Sequence, residues 1–286
     1  MKKQEILITG ATGLLGSAVF KKLQRVGYAV CDFSIDIRDA AAMKNYTKKH
    51  NNFDWIIHTA AITDVARCEK EQRLCYEVNV QGTRNIRNLA EKTGARLLYI
   101  STASVFSGDT GNYKETDLPY PKNFYNLSKL LGEQIVQEYP LGLILRINLI
   151  GIHPKGSRGL NFFEWLVDTI KSNKDIKLFN DIMINPLSNL TLAELISKLI
   201  KINPKKNILH FGSKNILSKA DMGKLVIKFF KKYNGKAQFI NTDEIANKTP
   251  GPKQMWLNVD YVQNKLGVKM PTLESEIKRI LLNNVR

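Results

Sequence analysis

The chain has 286 residues, is 43% hydrophobic and sets 43 Lys and Arg against 26 Asp and Glu, a formal net charge of +17. This profile is that of a soluble globular protein with one large domain or two intimate ones. It sets aside a membrane-spanning chain: the longest central apolar run, residues 141–152, is broken by Arg146 and is too short for a bilayer.

The N-terminal "MKKQEILITG" lacks the apolar core and cleavage site of a signal peptide, so a cytoplasmic protein is expected. A positive field attracts nucleic acid, anionic membranes or phosphorylated small molecules. The lysines, however, come as dispersed pairs with no aromatic-interleaved basic stripe, so neither nucleic acid nor membrane is an expected partner. Cys31, Cys68 and Cys75 fit no zinc or redox spacing and read as reduced packing thiols. No His/Cys/Asp/Glu cluster has metal-ligand spacing, and no metal is expected.

In chain order, buried strands are expected at 5–10, 28–33, 53–60, 95–101 and 141–148, with helices at 14–25, 40–48, 68–92 and 123–138 between them. Strands apolar on both faces and separated by helices imply a doubly wound α/β fold of Rossmann type with a parallel sheet. After Gly151 the pattern loosens. Helices are expected at 162–171, 192–201, 219–232 and 272–282, and a strand at "NILHFG". Residues 1–152 read as a dinucleotide-binding domain. Residues 153–286 read as a smaller substrate-binding lobe, with some segments returning to the sheet.

The first strand meets the first helix in "ITGATGLLGSAVF". Gly10 permits the tight turn, Gly13 removes a side chain where a pyrophosphate must approach, and Gly16 lets helix and strand pack closely. The helix N-terminus then faces the phosphates. Further on, "YNLSK" places Tyr125 and Lys129 four residues apart, on one helix face. An ammonium beside a phenol is expected to lower its pKa and suit it to proton transfer in alcohol/ketone chemistry. Between these motifs, "YISTASVF" ends a strand in Ser101 and Thr102, at the sheet edge where ligands bind.

These pieces, in this order, resemble the extended short-chain dehydrogenase/reductase family over nearly the whole chain. Within it the chain is similar to the dTDP-4-dehydrorhamnose reductase-like proteins, through "DIRD", "STASVFSG", "YNLSKLLGE", "RINLIG", "NFF" and "PKQMWLNVDYVQNKLGV". The resemblance implies an NADP- or NAD-dependent reductase of a nucleotide-activated 4-keto-6-deoxysugar, serving a surface polysaccharide. It implies that Thr102 bonds the substrate carbonyl, Tyr125 donates the proton, and Lys129 binds the nicotinamide ribose. Gly10, Thr12, Gly13, Leu14, Leu15 and Gly16 would hold the pyrophosphate, Ala60 and Ala61 would lie along the cofactor, and Asp36 and Ile37 would flank the adenine. On the substrate side it implies Thr63, Ala103, Ser104, His153, Asn161 and Phe162. Asn79 would be structural.

Ala103 and Ser104 replace an Asp and a Tyr that face the sugar in that family, which bears on sugar specificity. The lack of an Asp-Glu pair after Thr102 argues against a 4,6-dehydratase. Asp32 could accept from an adenosine ribose 2′-hydroxyl, favouring NAD; Ser34 and Arg38 could instead receive a 2′-phosphate, favouring NADP. A nucleotide-sugar epimerase and a cofactor-binding regulatory subunit without turnover are the alternatives, and the resemblance suggests a homodimer. His58 and Arg146 read as packed residues, Arg146 in a buried ion pair. Lys155 and Arg158 are candidates for a diphosphate, and Trp165 and Trp256 read as packing aromatics.

Overall fold

A computed structural model of the chain describes residues 3–154, 161–245 and 252–284. Lys155 and Arg158 lie outside the described residues. Two compact units emerge. The first takes the chain up to Phe106, then Leu118–Arg146 and Leu192–Leu209; the second takes Ser107–Asp117, Ile147–Thr191 and the chain from His210 onward.

The first unit runs β1 (Glu5–Thr9), α1 (Leu14–Arg25), β2 (Ala29–Phe33), α2 (Ala40–Lys49), β3 (Trp55–His58), α3 (Val65–Lys70), α4 (Gln72–Tyr76), α5 (Gly82–Thr93), β4 (Arg96–Thr102), α6 (Phe124–Gln137) and β5 (Gly142–Ile147). The second continues with β6 (Leu149–Ile150), α7 (Phe162–Lys171), β7 (Ile176–Phe179), β8 (Met183–Ile184) and β9 (Leu187–Ser188). Helix α8 (Asn189–Ile202) and strand β10 (Ile208–Phe211) divide between the units. Then follow β11 (Leu217–Ser218), α9 (Lys219–Phe229), β12 (Ala237–Ile240), β13 (Gln254–Met255), α10 (Asp260–Leu266) and α11 (Leu273–Asn284).

The main sheet has the order β10-β5-β4-β3-β1-β2. β1 is parallel to β2 and to β3, and β3 to β4. The expected doubly wound parallel sheet is therefore present. The register sets Leu7, Ile56 and Leu97 side by side across three strands. They pack with Ile86, Leu89 and Ala90 of α5 and with Ile144 of β5 in one core cluster. Burying each large aliphatic contributes roughly 1.5–3 kcal/mol. From β1 the chain passes first to β2 and then back across to β3. That reversal opens a crevice at the carboxyl ends of β1 and β3, the ligand position in open α/β sheets.

Local chemistry fixes the helix ends. Asp39 accepts from Ala42 N at 2.8 Å to start α2, Asn123 accepts from Asn126 N at 2.8 Å to start α6, and Gly94, at φ 69°, closes α5 in the left-handed region. The continuous helix expected over 68–92 is not what forms. It begins at Val65, breaks at Glu71 (φ −116°, ψ 54°), and is wound as a π turn over Glu77–Gln81. The buried Asn79 sits in that turn. Its Oδ1 accepts from Ile62 N at 2.8 Å, and its Nδ2 donates to Ile62 O at 3.0 Å and Ser128 Oγ at 2.9 Å.

In the second unit β7 and β12 pair in parallel, and β11, β8 and β13 form a three-stranded sheet. Phe163, Leu166, Val167 and Ile170 of α7 pack with Leu178, Val226, Ile277 and Ile280. "NILHFG" contains β10 as expected. Strands β7 and β12 and helix α10 have no counterpart among the expected elements. Among the described residues no helix is long and apolar enough to cross a membrane.

Candidate active site

The glycines divide their work as the β1–α1 turn requires. Gly10 has φ +69°, and a Cβ on it would stand 2.9 Å from Ala60 Cα at the end of β3. A Cβ on Gly16 would collide with Gly10 O, so this residue lets α1 press against the turn. Gly13 is exposed and is the N-cap of α1; a Cβ there would meet only Gly10 O, at 3.3 Å. No side chain caps α1, and its first turn carries no acid. An uncapped helix start behind a glycine turn is a built cradle for an anion. The residues present therefore fit the pyrophosphate of a dinucleotide. Thr12 is exposed beside Gly13, whereas the Leu14 and Leu15 side chains are buried and only their backbone lies at the turn.

Beneath the turn, Thr9 Oγ1 meets His58 Nδ1 at 2.7 Å, and His58 Nε2 meets Thr83 Oγ1 at 3.1 Å. Thr83 spends its proton on Asn79 O at 2.6 Å, so it accepts from His58 Nε2 and leaves Nδ1 to accept from Thr9. His58 is thus a neutral packed histidine. Burial, seconded by the positive charge of Lys129, pushes its pKa down to about 3. Thr9 Oγ1 also accepts from Ala60 N at 3.2 Å, tying the two strand ends together.

Thr102 ends β4. Its hydroxyl accepts from Ser104 N at 3.1 Å and stands beside the phenol of Tyr125 on α6, on whose pKa it acts. Lys129, one helical turn on, is buried, with Nζ 4.1 Å above the Tyr99 ring. Below it Glu133 accepts from Ser101 Oγ at 2.5 Å and pairs with Arg146, whose Nη2 donates to Glu133 Oε2 at 2.7 Å. This is the buried ion pair expected of Arg146.

The expected lowering of the Tyr125 pKa does not occur. Burial raises it above the usual phenol range, and the nearby thiols of Cys68 and Cys75 add to the rise; the neighbouring Thr102 hydroxyl opposes them. Lys129 is pushed down to about 7 by burial, while Glu133 draws it back up. The phenol is consequently held in its protonated form at neutral pH.

The remaining candidates are placed as follows. Ala60 and Ala61 are half-buried after β3, and Thr63 is exposed in the same segment. Asp32, Ser34 and Asp36 are exposed around the end of β2, but Ile37 is turned into the core, where a Cβ on Gly82 would meet its Cδ1 at 2.6 Å. Ala103 is buried and Ser104 half-buried. In the second unit Asn161 is the N-cap of α7: its Oδ1 accepts from Phe163 N and Glu164 N, and its Nδ2 donates to Gly151 O. The Asn-x-x-Glu spacing of a capping box was the signal for this role. His153 is held by Glu164, with Nδ1 2.8 Å from Oε2 and its backbone N–H donating to Oε1 at 2.6 Å. Phe162 stands 5.8 Å from the Trp165 ring, and Lys219 Nζ lies 4.5 Å above its face. The sequence placed Ser101 at the sheet edge but not in contact with Glu133, and it did not single out Glu133 or Glu164, nor the placing of Cys68 and Cys75 near Tyr125; no local spacing marks them.

Known proteins match this arrangement. A dTDP-4-dehydrorhamnose reductase from Bacillus anthracis, solved in complex with NADP, superposes with a TM-score of 0.89 at 28% identity, covering 99% of this chain and 100% of that one. The spore coat polysaccharide biosynthesis protein SpsK of Bacillus subtilis is 28% identical over 87% of each chain. The methionine adenosyltransferase 2 subunit beta of Bos taurus is 35% identical, over 51% of this chain and 47% of its own. The RmlD substrate binding domain model matches residues 4–285. With the dinucleotide cradle, the Thr-Tyr-Lys set and a match along almost its whole length, this chain belongs to the RmlD substrate binding domain family.

Proposed function

We propose that the chain is a cytoplasmic NAD(P)H-dependent reductase of a nucleotide-activated 4-keto-6-deoxysugar, supplying a surface glycan. The observation that carries this reading is the Thr102 hydroxyl set beside the Tyr125 phenol, close enough to act on its pKa, at the edge of the sheet that also holds the glycine cradle. Two hydroxyls converging in this way can both donate to one carbonyl oxygen, the geometry a ketone reductase needs. When bound, the nicotinamide dinucleotide supplies the hydride. Tyr125, kept protonated by its burial, gives the proton to the oxygen that becomes an alkoxide. Lys129 titrates near neutrality on the same helix face and is suited to returning that proton. The relatives named for reductase activity and polysaccharide biosynthesis support the substrate class.

The test follows nicotinamide absorbance with purified protein and a dTDP-4-keto-6-deoxyhexose, with NADH and NADPH in parallel. Tyr125→Phe is expected to lower turnover by about 10²–10⁴-fold while dinucleotide affinity stays unchanged. Turnover that survives the substitution would remove Tyr125 from the reaction. Dinucleotide binding without oxidation on any nucleotide sugar would favour a non-catalytic subunit role instead, the direction in which the likeness to a methionine adenosyltransferase subunit points.

A further inference from the structure

The edge beyond β2 decides whether a ribose 2′-hydroxyl or a 2′-phosphate is accepted, and the cation a phosphate would need there is already committed. Arg38 Nε donates to both oxygens of Asp36 at 3.0 Å, and its Nη2 donates to Asp36 Oδ2 at 2.6 Å. Its Nη1 lies 3.9 Å from Glu77 Oε2. Asp36 also accepts from Arg38 N at 2.9 Å, so the loop is closed on itself. The pocket here is lined by Asp36, Arg38, Asp39, Glu77 and Gln81: three carboxylates against one guanidinium. Asp32 is exposed on the neighbouring β2, and Glu77 is also paired with Arg73, whose Nε lies 2.9 Å from Glu77 Oε1. Two of the cations of α2 and α5, Lys44 and Lys92, line a different groove with Met43, Asn85 and Leu89.

On a chain of net charge +17 this edge is locally acidic. A 2′-phosphate could claim Arg38 only by breaking a bidentate pair and leaving Asp36 facing a second anion. A 2′-hydroxyl needs no such exchange, since it donates to a carboxylate. We infer that the site selects NADH over NADPH and that the Asp36–Arg38–Glu77 cluster is the specificity element. The inference rests on the reading that the glycine turn holds a nicotinamide dinucleotide. It separates this chain from its structural neighbour solved with NADP.

The experiment is a fluorescence titration of the purified protein with NADH and, separately, NADPH, without sugar substrate. NADH is expected to bind at least about tenfold more tightly. Asp36→Ala releases Arg38 and is expected to tighten NADPH by at least about fivefold, with circular dichroism confirming the fold. Glu77→Gln is expected to move NADPH affinity the same way by about two- to threefold. Equal or tighter binding of NADPH by the unaltered protein overturns the inference alone. A preference for NADH that both variants leave untouched overturns the assignment to this cluster. No saturable binding of either dinucleotide overturns the inference together with the reading beneath it.

Discussion

Arginine meets carboxylate in two settings in the first unit. Arg146 and Glu133 are 2% and 1% exposed, and Glu133 is also bonded by Ser101. Arg38 and Asp36 are 43% and 48% exposed at the sheet's far edge. The bidentate chemistry is alike, but solvent makes the consequences differ. Neither member of the buried pair can leave without stranding a charge away from water, so that pair has become architecture. The exposed pair is screened and its members can be hydrated singly, so it is free to serve ligand choice.

The comparison breaks if the buried pair proves dispensable. Glu133→Ala is expected to cost about 3–5 kcal/mol in chemical denaturation, because the buried Arg146 loses its counter-charge. A loss near zero would mean that Arg146 reaches water by another route.

A pH series sharpens the point about burial. His58 is held at about 3, against about 6.5 in an unfolded chain, and Lys129 at about 7, against about 10.4. Between each pair of values the unfolded chain binds a proton that the folded one refuses, so stability rises with pH across both windows. The melting temperature is therefore expected to climb from about pH 4 to about pH 9. Lys129→Met is expected to flatten the portion above about pH 7, and an unchanged slope there would show that Lys129 is solvated. At the small end, Asp36→Ala is expected to leave the melting temperature without measurable change. A clear drop would make the exposed pair structural after all.

What the sequence disclosed follows the reach of each interaction. Helix α1 runs over the residues expected, because a glycine turn and an unbroken apolar period define it locally. The six strands of the main sheet were legible as short apolar runs. Asn79, in contrast, shapes its turn through Ile62 and Ser128, 17 and 49 residues away, and no local pattern announces that. The two-residue strands of the second unit, such as β8 and β13, are too short to show a period. The site residues Gly10, Gly13, Thr102, Tyr125 and Lys129 were readable as types. The sign of the Tyr125 shift was not: it depends on burial and on the thiols of Cys68 and Cys75, which come close only in the folded chain.

The π turn at Glu77–Gln81 joins two helical seams that differ in phase. Before it, Cys75 faces the Ser128 side of α6; after it, Ile86, Leu89 and Ala90 face the sheet core. A turn that winds in one extra residue rotates everything beyond it by about 100°. Deleting a single residue there would restore an uninterrupted α-helix and yet swing one seam off its partner. This stretch is therefore far more sensitive to a change in length than to a change of side chain, and its residue count is itself a structural constraint.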